Sequence, residues 1–208
     1  MSINTFIKQL AKTAVPPHVY NPYSYDQPRN AARRHNLRRY LHQMQPRQPH
    51  TLLVAEAPGY RGCRLTGVPF SSPHILRHGL DGVSLYGLER GYRLPAEWPH
   101  IQREASATIV WETLPRYAHL PLLWNAFPFH PHRPGDPQSN RPPKISELAL
   151  GRPFVETLLT LFPIQIIVAV GNKADTALNR WGLDFVKVRH PSQGGKRDFQ
   201  AGLAAILG

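Results

Sequence analysis

Four short apolar runs constrain this chain more than any other feature: Thr51 to Ala55, Leu120 to Ala126, Ile164 to Val170 and Phe185 to Val188. Each is too brief for a helix and is bounded by turn residues, which is the pattern of a strand buried on both faces of a parallel sheet. Helical patterns follow the later runs, over Ser146 to Phe162 with Gly151 and Pro153 breaking it early, Asn172 to Trp181, and Arg197 to Leu207. The alternation predicts an α/β fold, a three-layer α/β/α sandwich around a central, mainly parallel four-stranded sheet. In such folds ligands bind where loops leave the carboxyl ends of the strands, so the residues just after each run carry the functional reading.

The 208 residues suit one domain spanning 1–208. Of twenty-two prolines, thirteen gather over 16–28, 46–58 and 128–143, marking loops. Between Pro28 and Pro46, Arg33, Arg34, Arg38 and Arg39 alternate with Leu37, Tyr40, Leu41 and Met44, which reads as a basic amphipathic helix with its arginines facing solvent or phosphate. The segment of about 1–47 is therefore expected to be helical and basic. Its composition also resembles a transit peptide, since Asp26 is its only acid, but a DNA-facing helix has the same composition.

Lys and Arg number 25 against 13 acids, a formal charge of +12, and 19 of the 25 are Arg. Arginine's planar fork grips phosphate bidentately, so a polyanionic partner is expected. One cysteine, Cys63, excludes an internal disulfide, a four-cysteine zinc site and a cysteine-ligated iron–sulfur cluster within the chain. No apolar run approaches the roughly 18 residues of a membrane span. The expectation is a cytoplasmic monomer without cofactor or membrane contact.

Three segments carry chemistry. After the first run comes Ala55-Glu56-Ala57-Pro58-Gly59, then Arg61, Arg64 and Gly67-Val68-Pro69-Phe70. Glu56 is the only acid between Asp26 and Asp81, suiting a general base or a water-orienting group, and suiting equally a carboxylate paired with Arg61 or Arg64. After the second run Asn125 stands among apolar residues, where the fold or a ligand must satisfy its amide. A pyrimidine edge with an N–H beside a carbonyl matches that amide and separates uracil from cytosine. After the fourth run, Arg189-His190-Pro191-Ser192-Gln193-Gly194-Gly195-Lys196-Arg197 places a histidine and a basic loop at a helix start, a setting for an anion.

In this order on this fold, the Glu-Ala-Pro-Gly loop, the Gly67 to Phe70 turn, Asn125, Gly171-Asn172-Lys173-Ala174 and His190-Pro191-Ser192 resemble the uracil-DNA glycosylase superfamily over about residues 50–205. The nearest likeness is to its Glu-Ala-Pro-Gly branch of thermophile iron–sulfur type. The resemblance implies excision of uracil from DNA by a monofunctional glycosylase that leaves an abasic site. It implies that Glu56 or the adjacent loop backbone positions the attacking water, and that Ala57, Gly59, Phe70 and Asn125 surround the extruded base, with Phe70 on its face and Asn125 on its Watson–Crick edge. It sets His190 at the carbonyl oxygen that gains charge, and gives the DNA contacts to Ser192, Gln193, Gly194, Gly195, Lys196 and Arg197 with Arg61 and Arg64. The sequence departs in three ways: one cysteine cannot hold the branch's cluster, Ala55 replaces the first glycine, and Ala57 stands where other branches carry Asp or Asn. Gly59 also lacks the bulk that excludes thymine in several branches, which leaves that task to a group such as Tyr60.

Two rivals stay open. A metal-dependent nuclease would use His130, His132 and Glu56, and a non-catalytic nucleic-acid binder would explain the silent Ala57. Among weaker signals, Trp98, Trp111, Trp124 and Trp181 read as core or helix-packing residues, Asn172 as a helix cap, Cys63 as passive, and Arg133 and Arg141 as phosphate contacts at best.

Overall fold

The structure is a computed structural model and describes residues 1–94, 97 and 100–208. Trp98 lies outside the described residues. Strands β2 (Thr51–Ala55), β3 (Leu122–Asn125), β5 (Ile166–Val170) and β6 (Val186–Val188) form one parallel sheet in the order β3-β2-β5-β6. Leu53 lies beside Leu123 on one side and Val168 on the other, and Val170 beside Val188. Every residue of β2 and β3 is buried, as continuous apolar runs require when helices cover both faces. The outer strand β6 instead exposes Val186 and Lys187, a short charged edge that resists pairing with another chain. The predicted α/β/α fold is the observed one. The first run, Thr51 to Ala55, is β2 residue for residue, and the other three strands are one to three residues shorter than their runs.

Among the described residues the long helices are α1 (Ile3–Lys12), α2 (Asn30–Met44), α5 (Ala105–Thr113), α7 (Arg152–Leu161), α8 (Asn172–Trp181) and α9 (Lys196–Leu207). Three shorter ones are α3 (Cys63–Thr66), α4 (Pro73–His78) and α6 (Ile145–Leu148). In α1 the spacing of Ile3, Phe6, Ile7 and Leu10 buries one stripe, and the Ser2 hydroxyl caps its start by accepting from Thr5 N–H at 3.2 Å. Gly151 and Pro153 divide the expected helix over 146–162 into α6 and α7. Two-residue strands β1 (Val19–Tyr20) and β4 (His130–Pro131) pair antiparallel, which sets the proline-rich 130–143 segment against the amino-terminal region.

Two expectations are corrected here. Helix α2 does not turn all its arginines outward: Arg33 is fully buried, in a stripe with Asn30 and Asn36, while Leu37, Tyr40, Leu41 and Met44 continue that stripe as apolar core. Arg33 donates from Nε to Arg64 O at 2.7 Å and from Nη1 to Asn30 Oδ1 at 2.8 Å, and its Nη2 meets the Glu97 carboxylate. A buried guanidinium is tolerated only when its donors are satisfied in this way. The cap of α8 is Gly171 at φ +83°, with Asn172 as the first helical residue. Trp111, Trp124 and Trp181 are buried, as expected of packing residues.

Candidate active site

The carboxyl edge of the sheet gathers the three segments. β3 leaves the sheet beside β2: Ala126 N–H donates to Ala55 O at 2.7 Å and Phe127 N–H to Glu56 O at 2.9 Å. Asn125 and Glu56 therefore leave adjacent strands side by side. On the other flank of β2, β5 ends in Gly171 and α8 begins at once, bringing the Lys173 charge to Glu56.

Glu56 carries the sharpest anomaly. Its side chain is half-buried, and Oε1 is inaccessible to solvent without any hydrogen-bond partner among the described residues. Burial pushes its carboxyl pKa above the ordinary value, and only the Lys173 charge opposes that rise. Neither expected arginine relieves it. Arg64 is buried, reaching Glu97 at 3.3 Å and lying 5.0 Å from the Tyr20 ring, while Arg61 sits over the Tyr60 ring at 5.2 Å. The assignment of Arg64 to DNA is thereby corrected, because a guanidinium turned inward on a carboxylate is not presented to phosphate. Arg61 is exposed. Ala57 and Gly59 are half-buried, and a Cβ added at Gly59 would stand in open space.

The Glu56 loop is clamped by residues of the proline-rich 128–143 segment. His130 is fully buried, and burial pushes its imidazole down to about 4, so the ring is neutral and has one N–H to give. Nδ1 lies 2.7 Å from Pro58 O and Nε2 3.3 Å from Pro137 O, so the proton sits on Nδ1 and holds the loop two residues past Glu56. Asn140 Oδ1 accepts from Tyr60 N–H at 3.0 Å at the far end. The metal-nuclease reading loses its first ligand, since both nitrogens of His130 face carbonyls, and among the described residues no group of three or more His, Cys, Asp or Glu is placed to hold a metal. Arg141 is likewise structural: it forms a bidentate pair with Glu147 at 2.7 Å through both oxygens and donates to His132 O and His18 O. The clamp was missed because its partners stand 72 and 80 positions apart in the chain, beyond any local periodicity.

Asn125 is the last residue of β3 and is buried. Its Nδ2 donates to Cys63 Sγ at 3.6 Å, leaving a second amide hydrogen and Oδ1 without partners among the described residues. Cys63 is a thiol, not a thiolate, because burial pushes it up to about 12. Tyr23 Oη lies 4.0 Å from the same sulfur and donates to Gly67 O at 3.0 Å, which ties Asn125 to the turn that presents Phe70. Gly67 takes φ +76° with its Cα packed on Arg33, where a Cβ would fall 2.6 Å from Arg33 O. Phe70 itself adopts φ +49°, an uncommon conformation for a large side chain, and its carbonyl accepts from Trp111 Nε1 at 2.8 Å.

His190 follows β6. Ser192 N–H donates to its Nδ1 at 3.2 Å, and a backbone amide can only donate, so Nδ1 is the acceptor and the neutral ring carries its proton on Nε2. Burial first and Arg189 second push its pKa below the ordinary value, which keeps the ring neutral. Gly171 makes room for it: a Cβ there would lie 2.8 Å from His190 Cβ. In the loop beyond, Gln193, Gly194, Lys196 and Arg197 are exposed and Ser192 is half-buried, while Gly195 is buried beneath His190 O. Two clefts of about 640 Å³ open elsewhere, one bordered by Tyr20, Tyr25 and Asn30 and the other by Gln9 and Phe154, and neither involves Glu56, Phe70, Asn125 or His190.

Among the described residues no helix is long and apolar enough to cross a membrane. No curated protein matches the sequence. The crystal structure of wild-type SMUG2 from Pedobacter heparinus superposes with a TM-score of 0.68 at 16% identity, covering 98% of this chain and 95% of that one, which establishes a shared fold. The sequence profile of the uracil DNA glycosylase superfamily matches residues 41–203, most of the chain, and its span takes in the carboxyl edge with Glu56, Asn125 and His190; the chain belongs to the uracil DNA glycosylase superfamily.

Proposed function

We propose that this protein is a monofunctional uracil-DNA glycosylase, acting as a monomer on uracil extruded from DNA and leaving an abasic site. The observation that carries the reading is the buried Oε1 of Glu56, unpartnered among the described residues and held at the same sheet edge as a strand-end amide whose remaining hydrogen-bonding groups are likewise unpartnered there and an imidazole with its proton on Nε2. An acceptor left without a partner in a folded core is unfavourable by about 1–3 kcal/mol, and an attacking water or a cationic sugar would satisfy it.

A base within the duplex is out of reach, so it must first leave the stack, which is cheapest at a mispaired uracil. Stacking on Phe70 returns about 1–3 kcal/mol of that cost. Asn125 Oδ1 accepts from the uracil N3–H, and the second Nδ2 hydrogen goes to the neighbouring carbonyl. Cytosine offers an acceptor and a donor at those places and is rejected.

The bond between C1′ and the base nitrogen then breaks with its electron pair on the base, which becomes anionic while the sugar becomes cationic. His190 Nε2–H donates to the carbonyl oxygen that gains the charge, an interaction of about 2.7–4 kcal/mol in comparable oxyanion sites. The Glu56 carboxylate faces the cationic sugar, directs water at C1′ and takes the proton that the water releases. The strained backbone of Phe70 supports this assignment, because such strain persists where the surroundings hold a residue to a task.

The test is incubation of the protein with uracil-containing and matched cytosine-containing oligonucleotides, followed by heating in alkali to cleave abasic sites. Strand cleavage at uracil alone is expected. No cleavage at either base contradicts the catalytic reading and favours the non-catalytic binder.

A further inference from the structure

A smaller cleft, of about 190 Å³, lies between α4 and α5 and is bordered by His74, His78, Arg103, Trp111 and Glu112. His74 and His78 stand one turn apart on α4 with ring centroids 4.5 Å apart, and His74 N–H donates to Gln102 O at 3.1 Å, which brings the Arg103 segment alongside. Three basic side chains thus converge on one small space. Burial, then Arg103 and His78, hold His74 below its ordinary pKa. The one carboxylate at the cleft, Glu112, is engaged by Lys196 Nζ at 2.6 Å. Arg90, close to Gly79 at the rim, is occupied by Asp81 and Glu89.

The position of the cleft is as informative as its charge. Trp111, one of its walls, donates to Phe70 O, and Glu112 binds the base of the Ser192 to Arg197 loop, with Gln200 of α9 donating to Thr113 Oγ1 at 3.2 Å just behind. The cleft therefore spans the surface between the residue assigned to the extruded base and the loop assigned to DNA contacts. We propose that it binds a backbone phosphodiester of the bound DNA, with the Arg103 guanidinium and the imidazole N–H groups of His74 and His78 as donors. This rests on the reading of the carboxyl edge as a DNA site, and it adds a contact that nothing in the three sequence segments assigns.

The experiment measures binding of a fluorescein-labelled, uracil-free duplex by anisotropy across a potassium chloride series, for wild type, Arg103→Gln, the double variant His74→Gln/His78→Gln, and Arg152→Gln as a charge control. Arg152 lies on α7 and pairs with Glu156. Loss of one phosphate contact lowers the slope of log K against log salt by about 0.9. That fall is expected for Arg103→Gln, with weaker binding for the histidine pair and a wild-type slope for Arg152→Gln. Equal slopes for Arg103→Gln and wild type, or an equal fall in Arg152→Gln, would overturn the proposal. Because the duplex contains no uracil, failure of excision and failure of this contact are read separately. Arg103 is exposed, so its variant keeps the test decisive even if the double variant misfolds.

Discussion

Two carboxylates, the buried Glu147 and the half-buried Glu56, are treated in opposite ways by the same fold. Glu147 receives both nitrogens of Arg141 at 2.7 Å and the Lys144 N–H at 2.6 Å. Burial alone would raise its carboxyl pKa, but the Arg141 hydrogen bonds and charge hold it below the ordinary value. Glu97 is handled likewise, with Arg33, Arg64 and Arg29 around it. Glu56 has a solvent-inaccessible oxygen with no partner among the described residues and a raised pKa, within a chain of 25 Lys and Arg residues that could have supplied one. The difference separates an acid that holds elements together from one that the fold keeps available for chemistry.

The largest effect expected from this contrast is on rate. Glu56→Gln should lower single-turnover excision of uracil by about 10²- to 10⁴-fold, the usual contribution of a positioned acid–base group. DNA binding should change little, and a rate within a factor of two of wild type removes Glu56 from the mechanism. Glu147→Gln should do the reverse. It leaves Arg141 facing no charge and destabilises the fold by about 3 kcal/mol, seen as a lower denaturant midpoint, while the protein that remains folded excises at the wild-type rate. An unaltered midpoint would make Glu147 no different from a surface acid.

Asn125→Asp converts a donor into an acceptor and should cut the preference for uracil over cytosine by about 1–3 kcal/mol, measured as the ratio of single-turnover rates. Wild-type selectivity in that variant would contradict the edge-reading role. The smallest effect is on the pH profile. Burial raises the Glu56 pKa above its ordinary value, so excision should fall about tenfold per pH unit once pH drops through that raised value. The Glu147 pair has a lowered folded value, so its stabilisation is present above the unfolded carboxylate pKa and is lost only as pH falls through the folded one. A window between the raised Glu56 value and the lowered Glu147 value is expected in which the protein is folded by circular dichroism yet slow. Coincident loss of fold and activity would erase the distinction between the two acids.

What could be read from the sequence follows the range of each interaction. β2 and α8 were legible to the residue, because an apolar run between turn residues and a helix ending at Gly182 in the left-handed conformation are local signals. Strand-end placement made Glu56, Asn125 and His190 stand out for the same reason. Arg33 was misread because its burial depends on Glu97, which lies 64 positions away in no common period. The inward turn of Arg64 has the same cause. His130 was visible as a residue, but its grip on Pro58 is made across the chain. Helices α3 and α4, of four and six residues, are too short to show a hydrophobic stripe.

The central claim is that the fold tolerates an unfavourable carboxylate at Glu56 because the reaction uses it. A raised folded pKa means that stability falls as pH rises from the unfolded carboxylate pKa through the folded one, with the full penalty present above it, so at neutral pH the uncharged glutamine should relieve it. The most direct measurement is a thermal melt and a single-turnover excision assay on one preparation each of wild type and Glu56→Gln at neutral pH. A midpoint equal to or above that of wild type together with lost excision is predicted, and a lower midpoint with retained excision would contradict the account.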